Sequence, residues 1–393
     1  MKPLRIRIVG GSLAGLFAGI LLARDGHDVK VYERSSSGFA GRGAGLVPQQ
    51  EVFHILREIG VEHLATFGVV SQDRIWFERS GAIARRAHMP QTQISWDLLY
   101  STVAARLDPG AYVLGKPVVG VREEAGYSLL EFDDGSTESA DLVVGADGIG
   151  STARATMNPD TRNSYAGYVG WRGLIAEDRL PKAASVLAGD FAFYVAPGNH
   201  MLGYLVPGPN GEIGQGQRRY NWVWYRFVDQ GDLPALFTGT SGKTFELSLP
   251  RGELSNERRE LLRVDASRLL PPPFALAVEA EPTPSIQAIF DYEARHMVGS
   301  ATALVGDAAF IARPHTAMGV SKAAGDVISL RNHLRQAEDL QSALKAYEGE
   351  RIEVGRKIVE LGRQLGATAL SSLDRTPIVR PVGMAYLGPF RWK

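Results

Sequence analysis

Apolar and polar residues alternate over residues 4–9 (LRIRIV) and 28–32 (DVKVY), which is the two-residue period of a β-strand. Between them, residues 12–24 carry apolar positions at helical spacing. Strand, glycine turn, helix and strand in that order predict a βαβ unit with parallel strands. A hairpin is predicted for residues 127–132 and 136–144 about Asp134-Gly135, a dipeptide that accepts the positive φ angles of a tight connection. From about 165 to 290 the pattern changes to aromatic runs (FAFYV at 191–195, MLGYLV at 201–206, NWVWYRF at 221–227), separated by turns such as Pro197-Gly198 and residues 207–211. These predict a mostly antiparallel sheet inserted into the first unit. Pro271, Pro272 and Pro273 break the chain before a short helix around 274–280, and helical patterns follow at about 317–336 and 340–366. The expected organisation is α/β. A discontinuous nucleotide-binding domain spans 1–75, 97–164 and 291–370, a β-sheet domain spans 76–96 and 165–290, and residues 371–393 form a tail.

Composition narrows the function classes. The 393 residues carry 43 Lys+Arg and 43 Asp+Glu, so a zero formal charge gives no reason to expect nucleic acid or an acidic membrane as partner. The absence of cysteine excludes disulfides, thiolate catalysis and cysteine-ligated metals. The N-terminus lacks the pattern of a signal peptide, and the apolar residues 13–23 are too few to span a bilayer, so a cytoplasmic protein is expected. No histidine pair has a metal-ligand spacing; His54, His63, His88, His296 and His333 read as surface or packing residues.

Three motifs carry chemistry. Gly10-Gly11-Ser12-Leu13-Ala14-Gly15 follows a strand and opens a helix, where backbone N–H groups approach a pyrophosphate. Glu33, with Arg34 beside it, ends the next strand at the place for a ribose contact, while Ser12 replaces the second glycine of the fingerprint. Second, an apolar strand delivers Gly145-Ala146-Asp147-Gly148, then Ser151 and Arg154 on a helical start. Third, Ala303-Leu304-Val305-Gly306-Asp307 precedes Arg313-Pro314-His315 and Gly319-Val320.

The second and third motifs resemble the DG and GD motifs of the class A FAD-dependent aromatic hydroxylases, a family of flavoprotein monooxygenases, and the likeness runs over about residues 4–365. Gly41-Arg42-Gly43-Ala44-Gly45 resembles the glycine loop under the flavin, and the YAGYVGWRG segment at 165–173 resembles the strand entering the substrate domain. The glycine turn, that strand and RPHTAMG are most similar to the family's dihydroxypyridine-hydroxylating branch. Departures are Phe310 for a frequent His, Ala317 and Ser321 for a usual Gly and Asn, and Trp96 for a usual Arg.

The resemblance implies a Rossmann-like FAD-binding domain with an inserted substrate sheet, as in para-hydroxybenzoate hydroxylase. It implies FAD as cofactor, NADH or NADPH as a transient co-substrate, dioxygen, a small aromatic substrate and a homodimer. Oxygen would reach the ring through a flavin C4a-hydroperoxide, because side chains cannot activate dioxygen unaided. Cofactor contacts are then expected from Gly10, Gly11, Ser12, Leu13, Ala14, Gly15, Glu33, Arg34, Arg42, Gly45, Asp147, Gly148, Arg154, Gly306, Asp307, Pro314, Gly319 and Val320. Asp147, Arg154 or Arg42 is a candidate for meeting the nicotinamide. His315, Pro314, Tyr204 and Tyr225 are the candidates for substrate chemistry, with His200 behind them. Trp224 and Tyr225 alternate, so only one faces inward, and Trp171 and Arg172 read as structural. Two other readings stand beside hydroxylation. One is epoxidase or halogenase chemistry, to which Trp222-Val223-Trp224 gives half a motif. The other is a flavin-holding regulator that binds an aromatic ligand without turnover.

Overall fold

The structure, a computed structural model, describes residues 1–39, 45–66 and 68–370. Among the described residues a parallel sheet runs in the order Thr302–Leu304, Leu142–Gly145, Arg5–Val9, Asp28–Glu33 and Tyr112–Leu114. One face of it is covered by the helices Leu13–Arg24 and Gly319–Gln336, which pack on each other, and the other by a three-stranded antiparallel sheet of Val118–Glu124, Tyr127–Phe132 and Thr137–Ala140, whose Phe132 meets Tyr32 and whose Glu138 pairs with Arg7. The helix Leu340–Leu370 packs against Gly319–Gln336 and reaches the second sheet at its far end. No helix among the described residues is long and apolar enough to cross a membrane.

The second sheet is large and mostly antiparallel. From one edge its order is Ser248–Leu249, Ser285–Glu293, Ser164–Ala176, Arg219–Phe227, Asn199–Val206, Phe191–Ala196, Val69–Phe77, Ile83–Ser95 and Gly45–Leu46. Only Phe191–Ala196 and Val69–Phe77 pair in parallel. The segment expected to enter this sheet at 76 enters it at Val69, since Val69–Phe77 is bonded along its length to Ile83–Ser95. Gly45–Leu46 also joins its edge, through Ser95 and Ile94, although it was expected in the nucleotide-binding domain. The strand Ser285–Glu293 carries the sheet past the expected return at 291. The hairpin about Asp134-Gly135 is shorter than predicted: Tyr127–Phe132 pairs with Thr137–Ala140, and Leu142–Gly145 leaves to join the parallel sheet.

The two faces of the large sheet differ, because side chains alternate along each strand. One face carries Trp171, Trp222, Trp224, Met201, Leu205 and Tyr220, buried in one cluster with Leu262, Phe274 and Ala277 of the helices Asn256–Leu269 and Pro272–Glu279. Glycine makes room here for large rings: a Cβ on Gly173 would lie 2.2 Å from the Trp222 indole, and one on Gly203 would lie 2.1 Å from the Tyr220 hydroxyl. The opposite face looks toward the parallel-sheet unit.

Gly173→Ala should therefore overpack this cluster and lower unfolding stability by about 1–3 kcal/mol in urea. A variant as stable as the parent would contradict the Gly173–Trp222 fit.

Candidate functional site

Three adjacent parallel strands bring the three motifs to one edge. The register Val9↔Gly145 and Gly145↔Leu304 sets the ends of Arg5–Val9, Leu142–Gly145 and Thr302–Leu304 side by side. Gly10 has φ +100°, and a Cβ on it would come within 2.5 Å of the Ala146 carbonyl, so the first motif closes directly on the second. A Cβ on Gly11 would meet Tyr112 and Glu33. This contact places the glycine requirement at 11, beside Ser12, where the altered fingerprint still tolerates a side chain. Ser12 leads into Leu13–Arg24 without a side-chain cap, and Met318 likewise leads into Gly319–Gln336. Two helix starts thus turn uncapped N–H groups toward the motif ends, a donor set suited to a dinucleotide.

The motif carboxylates divide into two kinds. Glu33 is buried and accepts from Gly11 N (2.9 Å) and Ser35 N (2.8 Å), so it fastens the glycine turn from behind. Asp147 accepts from Ser151 Oγ and the amides of Thr152 and Ala153, capping the helix Thr152–Met157. Asp307 differs: its side chain is 47 % exposed at the end of its turn, with only the Lys322 ammonium 3.6 Å away. That ammonium is fully buried and makes no hydrogen bond. Of the three motif carboxylates, Asp307 is the one whose oxygens are not taken up by backbone amides or hydroxyls among the described residues. Gly306, with φ +61°, is held from the other side: its N–H donates to Asp326 (3.0 Å), which pairs with the buried Arg351 at 2.8 Å.

Arg154 is buried. Its guanidinium donates to the Ile149 and Asp307 carbonyls and lies 4.0 Å from the Tyr292 ring centroid. It braces the second motif against the third. Arg34 and Gly319 are exposed, and Gly148 and Val320 are partly so. Arg42 and the loop around it lie outside the described residues.

After Asp307 the chain reaches the large sheet. Arg313 pairs in bidentate fashion with Asp291 of Ser285–Glu293 (2.9 and 2.8 Å) and lies over the Tyr168 ring. Pro314 and His315 follow in a short 3₁₀ turn. His315 Nε2 is hydrogen-bonded to the Tyr168 hydroxyl at 3.0 Å, and its Nδ1 has no partner. Its ring stacks near His200, with centroids 5.4 Å apart, and tilts against Tyr225 at 4.5 Å.

These partners share one sheet face by register. Gly170, Tyr225 and His200 form one cross-strand row; Arg172, Val223, Leu202 and Phe193 the next; Leu174, Asn221 and Tyr204 the third. Tyr225 is thus the inward member of its pair, and both tryptophans of Trp222-Val223-Trp224 face the helices, away from His315. Tyr204 packs on Phe191 (4.5 Å) and donates to the Gly45 carbonyl at 3.2 Å. The expected candidates His315, Tyr225 and His200 therefore come together, with Tyr204 two rows away. Tyr168 was not foreseen, since nothing in a strand pattern tells which tyrosine will meet a histidine 147 residues later.

Burial sets the charge of this cluster. Desolvation pushes His200 down to about 4, and desolvation with His200 and Arg313 nearby pushes His315 well below its ordinary value. Desolvation also raises Tyr168, Tyr204 and Tyr225. Near neutral pH the site holds neutral imidazoles and protonated phenols.

Comparisons with known proteins agree with this geometry. An NAD(P)-binding Rossmann-like domain model matches residues 8–58, and an FAD binding domain-like model matches residues 165–291. The 2,6-dihydroxypyridine 3-monooxygenase of Paenarthrobacter nicotinovorans is 31% identical over 359 residues, covering 89% of this chain and 88% of the relative. The 6-hydroxynicotinate 3-monooxygenase of Bordetella bronchiseptica is 27% identical over 375 residues, covering 91% and 90%. The solved structure of 2,6-dihydroxypyridine-3-hydroxylase from Arthrobacter nicotinovorans superposes with a TM-score of 0.90 at 28% identity, covering 97% of this chain and 96% of that one. The expected likeness to the dihydroxypyridine-hydroxylating branch is thereby borne out.

Two outcomes follow from the site. Asp307→Ala should yield folded but colourless protein, and a variant that keeps stoichiometric flavin absorbance would remove Asp307 from the cradle. Because His200 is depressed, the unfolded chain takes up its proton first, so stability falls as pH drops from 6.5 toward about 4. His200→Asn should flatten that acid limb by up to about 1.4 kcal/mol per pH unit in urea unfolding; an unchanged slope would show His200 to be solvated.

Proposed function

The chain belongs to the FAD-dependent aromatic-ring monooxygenases, and from that premise we propose that it hydroxylates a hydroxypyridine or a closely related N-heterocycle or phenol. The observation that carries this reading is the meeting of His315, at the end of the third motif, with Tyr168, His200 and Tyr225 of the sheet face. Bound FAD, reduced by NADH or NADPH, supplies the activation of dioxygen that no side chain provides. One dinucleotide turn is present, which fits a nicotinamide that visits and leaves. Gly10, Gly11, Ser12 and Gly15 at the first turn and Asp307 at the third are the residues that would hold the cofactor.

The chain's own contribution is to place the ring and adjust its electrons. Phe191, Phe193 and Tyr204 give an apolar wall for a planar ring and exclude water. The unpartnered Nδ1 atoms of His200 and His315 are hydrogen-bonding groups without protein partners. As neutral imidazoles they can accept the proton of a ring hydroxyl, and the resulting oxyanion makes the adjacent ring carbon more nucleophilic. Tyr168 holds His315 in orientation through Nε2, so that its Nδ1 is the atom offered to the ring. Relatives named for acting on 2,6-dihydroxypyridine and 6-hydroxynicotinate support a hydroxylated nitrogen ring as substrate.

Holoprotein mixed with NADH or NADPH, air and a panel of hydroxypyridines and phenols should consume the nicotinamide faster with substrate. The product should be heavier by one oxygen, about 16 mass units. No acceleration by any aromatic would overturn the reading. His315→Asn should lower kcat by about a hundredfold at unchanged FAD content, and Tyr168→Phe should lower it less; full activity in both would exclude the His315 role.

A further inference from the structure

The second row of the site face holds a cation that the fold does not use. Arg172 reads from the sequence as structural, yet its guanidinium makes no hydrogen bond or ion pair with the described residues, and its Nε is buried without a partner. Its cross-strand neighbours Val223, Leu202 and Phe193 offer no side-chain acceptor, and the hydroxyl of Ser285, opposite it on the other side, makes no hydrogen bond with it. On either side stand the rows of Tyr225 with His200 and of Tyr204 with Asn221, and Arg172 acts electrostatically on both tyrosines. Those phenols stay protonated and the imidazoles stay neutral, so none of them balances the charge. Asn221 adds a second unmet demand, for neither its Oδ1 nor its Nδ2 is hydrogen-bonded. Arg74, the other arginine on this face, already donates to Gln91. Arginines withdrawn from water are normally paired; here a half-buried one, its Nε fully covered, stands on the strand face without a partner among the described residues.

We propose that Arg172 is the substrate-anchoring cation, taking the oxyanion of a deprotonated ring hydroxyl, and that the site therefore selects aromatic anions over neutral rings of the same shape. Asn221, with one donor and one acceptor, matches the adjacent N–H and C=O of a pyridone edge. This assignment rests on the sheet face being the substrate site, and it makes ligand charge the discriminating property. The chemistry also fixes the reaction that must precede this enzyme: one that leaves an acidic hydroxyl on the ring.

The test is equilibrium binding to the FAD-loaded protein without nicotinamide, read from the flavin absorbance change at pH 8. Each anion is paired with a neutral ring of similar shape: 2,6-dihydroxypyridine with 2,6-dimethoxypyridine, and 4-nitrophenol with nitrobenzene. The wild type should prefer the anion of each pair it binds. R172M should weaken anion binding about tenfold or more, leave the neutral ligand within about twofold, and retain FAD. R172K should recover part of the loss, and R172Q replaces R172M if the latter does not fold. Parallel loss for anionic and neutral ligands would make Arg172 a packing residue, and an unchanged anion affinity would remove it from the site; either overturns the assignment. A wild type that binds 4-nitrophenolate and ignores dihydroxypyridine defeats the hydroxypyridine reading alone, with Arg172 then judged on the nitrophenol pair. A wild type with no preference for either anion defeats Arg172.

Discussion

The site depends on the ion pair between Arg313 and Asp291. Arg313 immediately precedes Pro314 and His315, and Asp291 lies on the strand that borders Ser164–Ala176, so this bidentate contact sets the third motif against the sheet face. The side chains are 14% and 6% exposed, and Arg363 of the long C-terminal helix also reaches Asp291. Removing one partner of such a pair leaves an uncompensated charge and costs about 3–5 kcal/mol. The helix can approach because Gly362 and Gly366 present bare backbone there; a Cβ on either would lie within about 3 Å of Arg313. With the joint closed, Arg313 covers the Tyr168 ring and Tyr168 bonds His315, so one contact orients the segment that leads from the third motif to the sheet face.

The departures from the family pattern acquire physical meaning in this frame. Ala317 keeps the left-handed backbone, at φ 53°, that the usual glycine adopts freely, a strain of about 1 kcal/mol. Gln49 donates to its carbonyl, which helps hold that turn. The Ser321 hydroxyl, in place of a longer amide, finds no partner. Phe310, in place of a histidine, is buried against the bare backbone of Gly355 and ties the third motif to the last helix. Trp96 stacks on Tyr100 at the start of its helix, while Arg219 comes across from the large sheet to pair with Asp97. The nucleotide-binding end thus retains its backbone geometry while several of its side chains have been exchanged for packing.

What could be read from the chain is what is local. Glycine turns at strand ends announce themselves because backbone approach and positive φ restrict the residue type, and the three motifs fell on one sheet edge as parallel pairing requires. The start of the second sheet was harder: Ser71, Gln72, Asp73 and Arg74 interrupt the apolar pattern of Val69–Phe77, and its true signal is pairing with distant strands. At the site, periodicity stated that Trp224 and Tyr225 oppose each other but not which faces the flavin side, since both faces of this sheet are buried. Arg172 illustrates the same limit. A strand arginine near a junction is ordinarily a bracing residue, and only the assembled face shows that its partner is absent.

The reaction proposed above would take place at the seam between the two sheets. The most direct measurement is a crystal structure of the FAD-loaded protein with a dihydroxypyridine bound anaerobically. The ring should lie against the face formed by Tyr225, His200 and Tyr204, with its oxygens within hydrogen-bonding distance of Arg172 and of an imidazole nitrogen of His315 or His200. A ring bound outside that face, with His315 still closed on Tyr168 and nothing at Arg172, would contradict the account.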